Sequence, residues 1–145
     1  MAGSARATYR FGDLLALARR SWVAQVRARV ERSGFDDYRR SDAWVVRQLS
    51  RGPRAIGRLG DEMGVTRQAA RKLADGLVER GYARLEADPD DARKTLVVLT
   101  KRGEAFARAV RRAQDALNDA LEGRVSAAQL AAADKVLRAV FSPGD

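Results

Sequence analysis

Apolar residues recur three or four positions apart in six stretches of the chain, the spacing that gives a helix one apolar face. The first stretch is the clearest, because its apolar residues follow each other every fourth position: Leu14, Ala18, Trp22, Val26 and Val30. The pattern predicts helices over residues 11–33, 42–50, 55–63, 67–80, 101–122 and 127–141. Residues 1–10 lack it and are predicted to be a polar arm.

The predicted helices are bounded by residues that suit helix ends. Each N-cap candidate carries a hydroxyl that can accept a hydrogen bond from the first turn: Ser41, Thr66, Thr100 and Ser126. Glycine follows three of the helices, at positions 34, 81 and 123. The short helix predicted over 55–63 contains Gly57 and Gly60, which are poor helix formers. We interpret them as residues that permit close packing against a neighbouring helix.

Between residues 82 and 99 the spacing changes from helical to extended. Residues 82–87 and 94–99 read as two strands around the turn that begins at Asp88-Pro89, which together form a hairpin. Short helix, tight turn, capped helix and hairpin is the order of a winged helix-turn-helix. The predicted fold is therefore mainly α with a small β-hairpin wing, in which residues 41–99 form the winged lobe.

Charge points to a polyanionic partner. The 145-residue chain has 28 Lys and Arg against 19 Asp and Glu, a net charge of +9. Nucleic acid and an anionic membrane both fit this charge, and solubility alone is the alternative interpretation. The motifs below favour double-stranded DNA and no membrane partner.

The chain contains no Cys and no His. This excludes disulfides, thiolate chemistry, Cys/His metal sites and a histidine general base. The acidic turn at 88–91 lacks the glycine and the distal glutamate of a calcium loop. We therefore expect no cofactor, no metal site and no enzymatic activity. Since no apolar stretch suits a signal peptide or a membrane span, we expect a cytoplasmic protein.

The capped helix over 67–80 carries the candidate base-reading residues. Its outward side presents Arg67, Gln68, Arg71 and Lys72 in the first half, and Asp75 and Glu79 in the second. Phosphates repel carboxylates, so only the first half is expected to enter a major groove, where Arg, Lys and Gln can pair with purine edges. The alternative is a solvated amphipathic helix.

The wing tip carries a second basic group. Arg93 could enter a narrow minor groove while Asp91 holds it by a charge-assisted hydrogen bond, and Lys94 lies beside them. The alternative is a solvated turn with a weak surface ion pair.

These motifs resemble the MarR family of multiple-antibiotic-resistance regulators. The segment from Asp88 to Gly103 is similar to its wing signature, with Asp-x-Arg followed by a strand, Leu-Thr and a nearby glycine. The stretches 55–66 and 73–82 resemble its helix-turn entry and recognition-helix exit. By this resemblance, the groove-contacting positions are Thr66, Arg67, Gln68 and Arg71, and Arg93 is the minor-groove arginine. Two departures are Gly60, in place of a helix former, and Gln68-Ala69-Ala70, in place of a more hydroxyl-rich run.

A homodimer is expected. The helices over 11–34 and 100–142 carry apolar stripes that a small winged lobe cannot cover, and residues 104–145 have equal numbers of acidic and basic side chains. The resemblance likewise implies dimerisation through terminal helices, within a single subunit that spans 1–145. A two-fold dimer would read a near-palindromic site. The alternative is a monomer whose three helices cap its own lobe.

The resemblance also implies a crevice for a small aromatic anion beside the winged lobe. Its candidate walls are Trp22, Phe35, Tyr38 and Trp44, with Arg19 or Arg20 to meet a carboxylate. The alternative is plain core filling by the aromatic residues. Without cysteine, the peroxide-sensing branch of the family is not expected.

The leading hypothesis is a sequence-specific transcriptional regulator that represses by occupying its operator. A winged module for protein contact and a weakly specific architectural DNA binder are the alternatives. The basic cluster at 67, 68, 71 and 72 argues against the first, and the ratio of specific to competitor affinity would separate the second.

Overall fold

A computed structural model describes residues 9–142 of the chain, which form six helices and three strands. The helices are α1 (Phe11–Arg32), α2 (Asp42–Leu49), α3 (Ile56–Met63), α4 (Arg67–Glu79), α5 (Lys101–Glu122) and α6 (Ala127–Phe141). The strands are β1 (Arg54–Ala55), β2 (Ala83–Ala87) and β3 (Thr95–Leu99). The predicted fold class is confirmed. The polar arm predicted for 1–10 lies almost wholly outside the described residues.

The predicted hairpin is part of a three-stranded antiparallel sheet in the order β1-β3-β2. In the hairpin, Ala83 pairs with Leu99 and Ala87 with Thr95. The strand that the sequence pattern missed, β1, has only two residues, of which Arg54 pairs with Val97. Two residues cannot display a period, so only the tertiary pairing reveals this strand.

Three of the four predicted caps form. The hydroxyls of Thr66, Thr100 and Ser126 accept hydrogen bonds from backbone N–H groups three residues later, at 3.1, 3.1 and 3.2 Å. Ser41 occupies the N-cap position of α2, but its hydroxyl makes no capping hydrogen bond. The carboxylate of Asp42 instead accepts the backbone N–H of Arg39 at 2.7 Å, which ties down the turn before α2.

An aromatic cluster lies at the centre of the core. The ring of Phe106 in α5 lies 4.6 Å from that of Tyr82, 4.9 Å from that of Tyr38 and 5.5 Å from that of Phe35, between ring centroids. Phe35, predicted as a wall of the ligand crevice, packs in this cluster instead. It follows the end of α1 at the turn around Gly34, which directs it toward α5 rather than toward α2.

The winged lobe is joined to α5 at the contact between Tyr82 and Gly103. The backbone N–H of Thr100 donates to the carbonyl of Tyr82 at 3.1 Å, and its hydroxyl donates to the carbonyl of Gly81 at 2.5 Å. Gly103 then packs so closely that a Cβ atom would overlap the Tyr82 carbonyl oxygen. This contact explains why glycine follows the Leu-Thr pair at this spacing.

A polar cluster covers the same contact from outside. The Tyr82 hydroxyl donates to Asp37, and Arg102 donates to the same carboxylate at 3.1 Å while its guanidinium lies 4.7 Å from the centre of the Tyr82 ring. The hydrogen bond from Tyr82 and the charge of Arg102 hold the pKa of Asp37 below its ordinary value. Burial and the neighbouring carboxylate raise the pKa of Tyr82. The α1–α2 loop is thereby fastened to the start of α5.

Gly60 fulfils the close-packing interpretation and Gly57 does not. A Cβ on Gly60 would lie 3.1 Å from the carbonyl oxygen of Val65 and 3.4 Å from Cβ of Ala70, so α3 and α4 meet there. A Cβ on Gly57 would meet nothing within 4 Å.

The first half of α1 and the whole of α6 lie outside this core. Only Val26 and Val30 of α1 are buried, and no residue of α6 is buried. Between the two helices runs an apolar groove of about 400 Å³, lined by Phe11, Leu14, Leu15, Ala18, Ala132, Ala133, Val136 and Leu137. No helix within residues 9–142 is long and apolar enough to cross a membrane.

Substitution of Gly103 by alanine tests the contact with Tyr82. The added methyl group would overlap the Tyr82 carbonyl, so we expect Gly103→Ala to lower the free energy of unfolding by more than about 3 kcal/mol, as severe overpacking does. Urea denaturation measures it. Gly57→Ala is the matched control and should be neutral or stabilising, because its methyl group meets open space. Equal stability of both variants would contradict the packing.

Candidate nucleic-acid interface

The candidate base-reading residues lie together on the exposed side of α4. The helix buries Ala70, Ala74 and Leu77 against the lobe, so its opposite side faces solvent. The exposed positions there include all four predicted side chains: Arg67, Gln68, Arg71 and Lys72. Gln68, Arg71 and Lys72 line one shallow depression together with Thr66 at the N-cap. This surface has the shape and donor groups that a major groove accepts.

Asp75 forms an ion pair with Arg71 on this surface, which the sequence did not indicate. Its carboxylate accepts a hydrogen bond from Nε of Arg71 at 3.0 Å, one helical turn away, and both side chains are about half exposed. Exposed pairs of this kind contribute little to stability. The pair nevertheless directs the Arg71 guanidinium along the helix axis, away from Arg67. Arg71 must leave or share Asp75 to engage a base edge.

At the wing tip, Arg93 projects into solvent while Asp91 grips its base. Nε of Arg93 lies 3.1 Å from Oδ1 of Asp91, which also accepts the Arg93 backbone N–H at 3.1 Å. These hydrogen bonds hold the pKa of Asp91 below its ordinary value. The Arg93 side chain is 91% exposed. The arrangement predicted for these two residues is present.

The turn around Arg93 is itself hydrogen bonded. Asp88 Oδ1 accepts the N–H of Asp90 at 2.9 Å, and the N–H of Lys94 donates to the carbonyl of Asp91 at 2.9 Å. Lys94 is exposed beside them. The wing tip thus offers two cations on a turn held by its own aspartates. Within residues 9–142, no three acidic side chains are grouped as a metal ion would require.

A second candidate site is a crevice between α1, α2 and α5. Trp22, Tyr38 and Trp44 line it together, in a volume of about 330 Å³. The two arginines predicted to meet a carboxylate are placed differently from each other. Arg19 lines the crevice and Arg20 does not, because one residue along a helix turns the side chain by about 100°. Arg19 shares its face with Trp22 and Val23, three and four positions on.

The crevice is strongly basic. Besides Arg19, its lining includes Arg27, Arg40 and Arg47. Arg27 is engaged, since it pairs with Glu31 at 2.6 Å and lies 4.9 Å from the centre of the Tyr38 ring. The other three form no ion pair with the described part of the chain. Apolar walls beside unpaired guanidinium groups suit a small anion.

The aromatic residues of the crevice serve the core to different degrees. Tyr38 is buried and packs on Phe106, so it is mainly a core residue, and its burial raises its pKa. Trp22 and Trp44 are only partly buried and border the core cluster. Core packing therefore accounts for Tyr38 and for part of each tryptophan, and ligand binding by these residues stays a prediction.

Comparison with known proteins finds a family match that covers most of the winged lobe. Residues 37–94, which run from the α1–α2 loop to the wing tip, match the model of the MarR family. The chain is similar to the MarR family over this segment, which is less than half of its 145 residues. An uncharacterized protein of Mycobacterium tuberculosis is 36% identical to it over 86 residues. That match covers 59% of this chain and 57% of the relative's length.

Solved MarR-type structures share the fold. Streptococcus pneumoniae FabT, in complex with DNA, superposes with a TM-score of 0.82 at 19% identity, over 91% of this chain and 93% of that one. A serine mutant of MarR from E. coli, in complex with operator DNA, gives a TM-score of 0.74 at 20% identity, over 89% and 91%. A probable transcriptional regulator from Pseudomonas aeruginosa gives 0.71 at 20%, over 90% and 96%.

The sequence pattern did not predict the ion pair that joins α2 to the end of α4. Asp42 at the start of α2 is 1% exposed, and Arg80 at the end of α4 reaches its carboxylate at 2.6 Å. The two residues are 38 positions apart, so no local pattern links them. The available signal was an aspartate directly before the apolar run Ala43–Val46.

Proposed function

We propose that this chain is a DNA-binding transcriptional regulator of the MarR family that acts as a homodimer on a near-palindromic operator and represses by occupying it. The observation that carries the proposal is the joint exposure of two basic groups on one lobe: the first half of α4, with Arg67, Arg71 and Lys72, and the wing tip, with Arg93. Two neighbours of this fold were solved bound to DNA.

The rigid connection between these groups supports simultaneous contact with two grooves. The end of α4 joins the hairpin through Gly81 and Tyr82, and both are hydrogen bonded to Thr100. Helix and wing therefore keep a fixed separation. Thr66, Arg67, Gln68, Arg71 and Lys72 are proposed for the major groove, and Arg93 with Lys94 for the minor groove, where Asp91 orients Arg93.

The dimer proposal rests on apolar side chains that one subunit leaves exposed. Phe11, Leu14, Val140 and Phe141 are each about half exposed or more, the last at 69%. The first half of α5, by contrast, packs into the lobe through Phe106, Ala107 and Val110. The proposed interface is accordingly formed by the first half of α1, by α6 and by the end of α5. It is smaller than the apolar stripes over 11–34 and 100–142 suggested. The winged lobe remains 41–99.

We further propose that a small aromatic anion binds the crevice and releases the protein from DNA. The unpaired Arg19, Arg40 and Arg47 would meet its negative charge, and the partly buried Trp22 and Trp44 its ring. Tyr38 would form the buried floor.

A winged module for protein contact and an architectural DNA binder are the alternative functions. A protein-contact module does not need the exposed cations of α4, so neutralising them would leave its binding intact. An architectural binder would lose little affinity when specific DNA is replaced by competitor DNA.

The minor-groove role is tested with Arg93→Ala. Its side chain is 91% exposed and its partner is Asp91 in a surface ion pair of the kind that adds little stability, so the thermal midpoint should stay unchanged. Affinity for DNA recovered by selection from the source genome should fall about tenfold or more, which corresponds to about 1.4 kcal/mol. The slope of log K against log salt should become shallower by about 0.9. Fluorescence anisotropy measures both quantities. Arg32→Ala is the control, because it removes an exposed arginine at the end of α1, outside the wing and the proposed dimer interface. Equal losses in both variants would reduce the effect to net charge.

The dimer is tested with an aspartate in the apolar groove. Wild type should sediment at about twice the monomer mass of 15.9 kDa at micromolar concentration, and Leu137→Asp should sediment as the monomer because it would bury a charge in the interface. Val78→Asp, at an equally exposed apolar position on α4, is the control and should remain dimeric. A wild-type monomer would refute the proposal.

The crevice is tested by a thermal-shift screen of aromatic carboxylic acids. A binding acid raises the stability of the folded protein by about 2.7 kcal/mol when its free concentration is 100 times its Kd. Arg19→Ala should abolish the shift and Arg20→Ala, one position away and outside the crevice, should retain it. If no acid shifts the wild type, or if both variants behave alike, this effector proposal fails.

A further inference from the structure

The ion pair between α2 and the end of α4 is placed where the two proposed sites meet. Asp42 is the sole buried charged side chain in the part of the chain that the structure describes. Its Oδ2 accepts the backbone N–H of Arg39 at 2.7 Å and Nη2 of Arg80 at 2.6 Å. The Arg80 side chain is itself mostly covered, at 13% exposure. Burying one of these charges without the other would be strongly unfavourable.

Arg80 reaches Asp42 by folding back over the preceding turn of α4. A Cβ atom on Gly76 would lie 3.2 Å from Nη1 and 3.4 Å from Nη2 of Arg80. Glycine is a poor residue for the interior of a helix, and its backbone here is helical rather than left-handed. What Gly76 supplies is the room in which the Arg80 guanidinium lies.

The other partner, Asp42, belongs to the segment that lines the crevice. Tyr38, Arg40, Ala43, Trp44 and Arg47 all line that crevice, and all lie within five positions of Asp42. One short segment therefore faces the proposed effector on one side and holds the end of the proposed recognition helix on the other. Few other contacts link α2 with α4, since α4 packs mainly on α3 and β2.

We propose that Asp42 and Arg80 are positioning residues that transmit the state of the crevice to the recognition helix. The inference rests on the proposed function and names how its two sites are coupled. A change at the start of α2 moves the Asp42 carboxylate, and Arg80 carries that movement to the end of α4, since both charges must stay paired to remain buried.

The geometry of the pair leaves a second arrangement open. Only Nη2 of Arg80 contacts the carboxylate, while Nε of Arg80 and Oδ1 of Asp42 are both buried and have no hydrogen-bond partner among the described residues. A small rotation of the guanidinium would bring these two atoms together and give a two-pronged pair. Two discrete pairings between the same residues are what a coupling element requires.

Gly76→Ala tests the proposal without removing either charge. Its methyl group requires the Arg80 guanidinium to shift by a few tenths of an ångström, a change that need not break the ion pair, and alanine favours the helix. We therefore expect an unchanged or higher thermal midpoint together with at least about fivefold weaker binding to the selected DNA. Gly57→Ala makes the same change in α3, where the methyl group meets open space, and should bind as wild type does. A purely structural role for the pair would not separate stability from affinity in this way. Wild-type affinity of Gly76→Ala would overturn the positioning role.

The coupling itself is tested by hydrogen exchange, a readout that requires no DNA. Trp44→Ala opens the crevice wall, and we expect it to change amide exchange across residues 67–79. In the Gly76→Ala background the same substitution should change exchange there at least about threefold less. If Trp44→Ala leaves α4 unaffected, or acts equally in both backgrounds, the coupling is refuted. Failure of wild type to bind any DNA specifically would instead refute the proposed function, and the exchange result would still decide the role of the pair.

Discussion

The close approach of Gly103 to the carbonyl of Tyr82 is the contact on which the rest of the structure depends. The end of α4, the wing and α5 all meet at this point. Gly81, in the left-handed conformation at φ +75°, follows the end of α4, and Tyr82 then enters the aromatic core directly before β2 begins at Ala83. Thr100 binds both residues through its backbone and hydroxyl. Any side chain at 103 would push α5 away from the wing, and the two basic groups would lose their fixed spacing.

The same junction explains how a small lobe can support helices whose apolar side chains remain exposed. The first half of α5 is held in the core by Phe106 and Val110, so the lobe positions the whole of this 22-residue helix. Its far end extends beyond the lobe, at Leu121, where the side chain is exposed. The apolar residues of α6 and of the first half of α1 lie exposed beyond it. Rigid attachment at one end and apolar exposure at the other support the proposed dimerisation through these helices.

Features encoded by neighbouring residues could be predicted from the sequence, and features made by distant residues could not. Helix bounds, the hairpin and the caps at Thr66, Thr100 and Ser126 follow from local spacing and hydroxyl position. The strand at Arg54–Ala55 and the Asp42–Arg80 pair depend on partners about 40 residues away. Arg19 and Arg20 are adjacent in sequence, so only the rotation of α1 relative to α2 selects between them. Phe35 entered the core for a similar reason, because a turn rather than a period sets its direction.

The symmetry of the DNA that the protein selects tests the proposed dimer most directly. Genomic fragments bound by the purified protein would be recovered and sequenced, and the enriched motif aligned on itself. Two α4 helices related by a two-fold axis predict an inverted repeat whose half-sites are centred roughly 34–36 Å apart, one turn of the DNA helix. A single asymmetric half-site, or no enriched motif at all, would contradict a dimer that reads bases through the first half of α4.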